Sequence, residues 1–260
     1  MVKPSAAFIA DSVAGAILCL LAATASSIAN AAEIKVLSSL GVKPAMIELM
    51  PKFEQSSGHN VTVDYGTVGA LAGRIQKGEA ADVLIATQQE IANLEKQGRI
   101  VAGSAIGITK TGVGVFVRKG APKPDISSVE AFKGTLLAAK SIGHADPARG
   151  GSIAVYVAAL LNRLDIAADI KPKIRLFPPS VYDLIATGEV ELGFGGISEI
   201  LVAPGVELVG PLPAEIQNFS VIVAGIVASS TQQHAGKALI QFISSPAAAA
   251  AMKARGFEPR

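Results

Sequence analysis

The sequence predicts an α/β protein of two Rossmann-like lobes joined by two β crossovers. Three observations carry that expectation. Short apolar runs alternate with segments of helical period along most of the chain. Two β-rich segments, 106–117 and 219–228, are longer than the others, and the stretches that follow the short strands are rich in Ser, Thr and Gly. On this reading lobe I comprises 32–110 plus 222–260 and lobe II comprises 111–221, the chain crossing once in each direction.

The elements follow in order. Residues 33–37 read as a strand, and 44–54 place Met46, Ile47, Leu49, Met50 and Phe53 on one helical face. Apolar and polar residues alternate over 60–64, a second strand, while 70–76 is a short helix and 82–86 a third strand. A helix over 88–97 stops at Gly98. The long β segment 106–117 holds Gly107, Gly112 and Gly114 and precedes a turn through Pro122 and Pro124. Ser127 or Ser128 caps a helix running to Phe132, 136–139 is expected as a strand, and 151–164 as the longest helix. Strands at 174–177, 191–194 and 205–209, with a helix at 181–187 between the first two, lead to a break at Pro211 and Pro213. The second long β segment and helices over 232–243 and 246–255 complete the pattern, which argues for parallel sheets.

Composition narrows the function. Half of the 260 residues are hydrophobic and 17% are charged, and the mean hydropathy is +0.45. Such a chain buries enough apolar surface to offset its conformational entropy, which excludes disorder. Lys and Arg number 23 against 21 Asp and Glu, a net charge of +2 with no basic run, so nucleic acid is not expected as a partner. Part of the hydropathy lies in a leader. Lys3 precedes the apolar run 13–25, and Ala29 and Ala31 stand where a signal peptidase reads small residues. The run has 13 residues, against roughly 20 for a bilayer span, so 1–31 is expected as a cleaved signal peptide and the mature protein as periplasmic. Cys19, the one cysteine, leaves with the leader, which removes disulfides and thiolate chemistry from the mature chain.

In open α/β sheets ligands sit at the carboxyl ends of strands. Four strand-end loops therefore supply the candidate binding residues. In the first, Ser38 and Ser39 precede a helix, and their hydroxyls either cap it or form an anion site with the free amides there. The second offers Thr67, Val68 and Gly69. In the third, His144 and Asp146 precede Arg149, Gly150, Gly151 and Ser152; Arg149 is either a bidentate clamp for a carboxylate or a solvated charge. The fourth carries Gly195, Gly196, Ser198 and Glu199, where the paired glycines permit a close approach or only a tight bend. The four loops point to a small anionic ligand in a pocket lined by backbone and small side chains. His59, His144 and His234 are far apart, so no metal site or cofactor is expected. Hydrolase signatures are absent: no Gly-x-Ser-x-Gly elbow occurs, nor a phosphate loop ending in Lys-Ser or Lys-Thr.

The segment 69–86, with Ala70-Leu71, Ile75-Gln76, Gly78 and Ala81-Asp82-Val83, resembles the bacterial extracellular solute-binding proteins of the molybdate-binding type, as do Ser38-Ser39-Leu40 and Asp146-Pro147. The resemblance implies the type II periplasmic binding fold, a small oxyanion or organic carboxylate as ligand, an inner-membrane ABC permease as partner and a monomer in solution. Three departures argue against molybdate itself. Val68 stands where the family offers a serine, the third loop lacks the family's Pro-x-Gly-x-Tyr, and Gly196 takes the place of an oxyanion-binding tyrosine. Segments 120–127 and 204–210, and Leu192-Gly193-Phe194 with Ser198-Glu199, resemble more narrowly the aconitate isomerases built on this fold. That likeness implies an allylic proton shift, for which His144, Asp146 and Glu199 are the candidate bases and Arg149 a clamp. A regulator's effector domain of the same fold is disfavoured, because a leader stands where a helix-turn-helix is needed.

Overall fold

The computed structural model describes residues 31–177 and 181–259, and the leader expected over 1–31 lies outside them apart from Ala31. Nine strands join in one sheet of order β2-β1-β3-β9-β4-β7-β5-β6, with β8 paired to β4 off this path. At one end β1 (Glu33–Ser39) lies between β2 (Asn60–Gly66) and β3 (Val83–Thr87), all parallel. At the other, β5 (Ile142–Ala145) lies parallel between β6 (Ile174–Phe177) and β7 (Leu192–Gly196). The two long segments, β4 (Ile106–Arg118) and β9 (Phe219–Ile226), run antiparallel to their neighbours and to each other. The parallel expectation therefore holds within each lobe and fails at the crossovers, because a chain that leaves a lobe and comes back must reverse direction. These are the two α/β lobes and two β crossings of a type II periplasmic binding fold.

Strand β4 changes partner in mid-course. Its residues Ile106 to Gly112 pair with β9, and Val113 to Val117 pair with β7, while β8 (Val206–Pro211) takes its other edge. At the junction the Gln217 side chain acts as a short piece of strand: its Oε1 accepts the Val113 N–H at 2.9 Å and its Nε2 donates to the Val113 carbonyl at 3.0 Å. Both backbone groups are thus satisfied where the ladder is interrupted.

Helices cover both lobes. In lobe I, α1 (Lys43–Ser57), α2 (Val68–Gln76) and α3 (Gln88–Lys96) follow the first three strands, and α9 (Gln233–Ile243) and α10 (Pro246–Lys253) return from the chain's end. Ala45, Met46, Leu49, Met50 and Phe53 of α1 pack with Leu239 and Ile243 of α9 and Met252 of α10. Ile47, expected on that face, is 60% exposed, one position out of step with the buried stripe. Asp82 ties the lobe together: its carboxylate accepts the Lys35 N–H at 2.8 Å and the Ser230 hydroxyl at 2.7 Å.

Lobe II has α4 (Val129–Ala138), α5 (Ser152–Arg163), α6 (Ala167–Ile170), α7 (Tyr182–Thr187) and α8 (Ile197–Ile200). Ser128 caps α4 by accepting the Ala131 N–H. The strand expected over 136–139 is instead the last turn of α4 and the residue after it, with Phe132 and Leu136 buried one turn apart. The strand comes later, at β5. The longest helix is α1, with 15 residues against 12 for α5; Pro51 lies inside α1 and does not end it. Among the described residues no helix is long and apolar enough to cross a membrane.

Candidate functional site

The carboxyl ends of the strands face each other across a cleft whose cavity measures about 160 Å³. By comparison, a cavity of about 150 Å³ in an apolar core holds benzene. Ser39, Gly41, Thr67 and Thr87 line it from lobe I, and His144, Ser152, Tyr182 and Glu199 from lobe II, with Thr111 and Ser220 on the crossing strands between them.

Ser39 ends β1 at an extended position and makes no side-chain capping bond. It is 5% exposed, and its hydroxyl has no hydrogen-bond partner. Leaving such a group unpaired costs about 1–3 kcal/mol. Opposite, Gly151 precedes α5, whose first intrahelical bond is Val155 N–H to the Gly151 carbonyl. The amides of Ser152, Ile153 and Ala154 thus have no partner one turn back, and these residues line the cleft. A helix N-terminus and an unpaired hydroxyl lining one cavity suit an anionic oxygen.

His144 is 3% exposed, on β5. Burial holds its pKa below the usual histidine value, against the smaller opposing effects of the Ala145 carbonyl and the Asp146 charge. Its Nδ1 lies 2.9 Å from that carbonyl. A carbonyl only accepts, so Nδ1 carries the proton and Nε2 keeps a lone pair. Glu199 follows β7 on α8. Its Oε2 accepts the Tyr182 hydroxyl at 3.1 Å, and the Gly196 N–H also bonds the carboxyl. Burial raises its pKa, and those two hydrogen bonds only partly offset the effect. Tyr182 is held well above the ordinary phenol value, first by burial and then by the adjacent Glu199.

The structure brings Ser39, Thr67, Val68, His144, Gly151, Ser152, Gly195 and Glu199 to the cleft lining. Other candidates sit behind it. Ser38 is fully buried, its hydroxyl 3.4 Å from the Ser39 carbonyl. Ser198, also buried, donates to the Gly41 carbonyl at 3.4 Å, and its N–H meets Thr111 Oγ1. Gly196 precedes α8 and supplies the amide to Glu199. Asp146 is not in the lining; it caps a short 3-10 turn by accepting the Ala148 N–H at 2.9 Å. The Arg149 side chain is exposed and also outside the lining, while its carbonyl accepts the Thr67 hydroxyl at 2.7 Å. Gly69 and Gly150 touch backbone to backbone across the cleft, the Gly69 N–H bonding the Gly150 carbonyl at 3.2 Å.

Sequence reasoning missed Thr87, Thr111, Tyr182 and Ser220. Tyr182 corrects the expectation of a pocket lined only by backbone and small side chains. Its ring stacks on Phe116 with centroids 4.9 Å apart, and its hydroxyl would lie 2.4 Å from a Cβ at position 195. Gly195 is therefore the residue that admits the phenol. Among the described residues no group of three His, Cys, Asp or Glu is placed to hold a metal ion.

Two crossings and a cleft between α/β lobes define the class as two-lobed binding proteins. Residues 34–258 match the family model of the bacterial extracellular solute-binding proteins, and the chain belongs to that family. An aconitate isomerase of a Pseudomonas species is 32% identical over 233 residues, 87% of each chain. The molybdate-binding protein ModA of Azotobacter vinelandii is 27% identical over 236 residues, 88% of this chain and 91% of that one. A solved structure of the periplasmic molybdate-binding protein of the same organism superposes with a TM-score of 0.70 at 21% identity, covering 87% of this chain and 99% of the other.

Proposed function

We propose that the protein is a periplasmic solute-binding protein that closes its two lobes on a small organic carboxylate and delivers it to an inner-membrane ABC importer. In this reading 1–31 is removed on export, and lobes of 32–110 plus 222–260 and 111–221 hinge about β4 and β9. The observation that carries it is the Ser39 hydroxyl, buried in the wall of a cavity that the first residues of α5 also line, and without a partner. Ligand oxygens there satisfy the hydroxyl and the free α5 amides. The cavity also lacks a Lys or Arg among its described lining residues, so recognition rests on neutral donors. A thermal-shift screen of oxyanions and of di- and tricarboxylates tests the reading; a rise in melting temperature with a carboxylate is expected, and stabilisation by no member of the panel refutes it.

A second reading, isomerisation of aconitate, is favoured by the lone pair on His144 Nε2 and by the 32% identical relative. His144 would remove a methylene proton from cis-aconitate, the allylic carbanion would delocalise onto the flanking carboxyl, and the proton would return at the former vinyl carbon to give the trans isomer. One proton leaves and one returns, so no cofactor is required. Proton NMR of purified protein with cis-aconitate decides it: trans-aconitate forming with wild type and not with His144→Gln supports the reading, and no trans isomer refutes it.

A further inference from the structure

Glu199 is the one formally charged side chain among the described residues that line the cleft. An anion entering the cavity meets that carboxyl with no lining cation between them. The geometry of the carboxyl adds a second demand. Tyr182 donates to Oε2 and the Gly196 N–H also bonds the carboxyl, while Oε1 lies 3.7 Å from where a Cβ on Gly41 of the opposite lobe would stand. A carboxylate oxygen can only accept. An oxyanion without a proton offers it nothing, and a ligand that brings a donor, or a proton placed on Glu199 itself, turns the contact from repulsion into a hydrogen bond.

We infer that the cleft takes its anion together with one proton, held between Glu199 and the ligand, and that Glu199 thereby discriminates against oxyanions that carry none. The inference rests on the proposed reading of the cleft as an anion site. The titratable groups sharing the cavity with Glu199 are Tyr182 of α7 and His144 of β5. Of the charges on the strands packed against α8, Lys110 pairs with Glu258 and Glu207 with Lys123, and Arg118, at the far end of β4, lies beside Gly188; none of them lines the cavity. Binding an anion stabilises the protonated form of Glu199, so the complex holds more protons than the free protein. Affinity is then greatest at low pH and falls by up to about tenfold per pH unit as pH rises between the two pKa values. Protonation of His144 has the same sign, so the two must be separated by mutation.

The test uses isothermal titration with propane-1,2,3-tricarboxylate, which has no double bond to isomerise, and with sulfate, from about pH 6 to pH 9. Buffers of different ionisation heat report the proton count. Wild type is expected to take up close to one proton per tricarboxylate, to lose affinity as pH rises and to bind sulfate poorly. Glu199→Gln keeps an oxygen for Tyr182 and is expected to show a flat profile, at least tenfold tighter tricarboxylate binding at the alkaline end and a gain of sulfate binding. His144→Gln should retain the slope. Tyr182→Phe, which removes a donor to Glu199, should move the slope to higher pH and serves if Glu199→Gln fails to fold. A flat wild-type profile, or a slope that survives Glu199→Gln, overturns the inference alone. Absence of binding at every pH in wild type and variants overturns the anion-site reading and the inference with it.

Discussion

Replacing Ser39 by alanine should stabilise the ligand-free protein and weaken the complex. The hydroxyl is buried, 5% exposed, and unpartnered, so the folded state bears a desolvation cost of about 1–3 kcal/mol that the unfolded chain does not. Removing the oxygen recovers part of it, about 1 kcal/mol after the loss of a small packed group. For a domain of this size that corresponds to a rise in melting temperature of about 2–4 °C. Ligand binding gains the same hydroxyl as a donor, so the variant should bind about ten- to a hundredfold more weakly. Differential scanning calorimetry without ligand and titration with the best carboxylate from the screen measure the two effects. Ser38→Ala is the control, since that neighbour is fully buried and directed at its own chain's carbonyl; it should leave affinity unchanged. A lower melting temperature for Ser39→Ala with undiminished affinity would refute the reasoning.

Three other perturbations follow from the geometry. A Cβ at Gly69 would stand 3.3 Å from the Gly150 Cα across the cleft. Gly69→Ala should thus favour the open lobes and weaken ligand several-fold, even though alanine suits the first turn of α2; small-angle scattering with and without ligand reads the closure. Gly195→Ala would put a methyl 2.4 Å from the Tyr182 hydroxyl, expelling the phenol from Glu199 and Phe116 at a cost of about 1–3 kcal/mol, seen as a lower melting temperature and altered tyrosine fluorescence. On the outer surface, hydrogen bonds from Arg74 and then Lys35 hold the Glu79 carboxyl at about 2. Because the folded value is depressed, the stabilisation is present above the ordinary carboxylate range and is lost as pH falls toward 2; Arg74→Gln should move the Glu79 titration, followed by NMR, back toward 4.5.

Periodicity is enough to read every strand except β5 to within about two residues at each end, because half-buried strands and amphipathic helices impose different repeats. β5 escapes it. Its sequence, Ile142-Gly143-His144-Ala145, has one large apolar residue, while Leu136, Leu137, Ala138 and Ala139 just before it form the more apolar run and belong to α4 or its end. Strand-end loops are legible for the same reason that strands are, and they contain eight of the cleft-lining candidates. Which member of a loop faces inward is not. Ser38 and Ser39 are chemically identical neighbours, and only the pleat of β1 sends one hydroxyl into the cleft. Arg149 and Asp146 look like ligand groups by charge, yet the Asp146 carboxylate caps its own turn, and Arg149 exposes its side chain while its carbonyl accepts the Thr67 hydroxyl of the other lobe. Thr111 and Ser220 lie on the crossings, where a loop-based search does not reach.

The fourth loop shows how a substitution can be answered from a distant part of the chain. On the resemblance read from the sequence, Gly196 stands where the molybdate-binding pattern has an aromatic ring, which by itself would leave a wider and less polar cavity. Tyr182, from α7, fills the neighbouring space over Gly195, and its hydroxyl is committed to Glu199. The phenol is thus a donor to a carboxyl and keeps that carboxyl in the cleft. A site for an inorganic oxyanion needs donors alone. This one pairs the donors of Ser39 and the α5 amides with acceptors on Glu199 and, through Nε2, on His144. Donors on both walls and acceptors on the lobe II wall would suit a ligand with an ionised group and a proton-bearing group, which is why the proposed ligand is a small organic acid whether it is carried or converted. Binder and isomerase would require the same walls, and the difference between them reduces to whether His144 Nε2 reaches a carbon-bound proton or only a ligand's hydroxyl or acid proton.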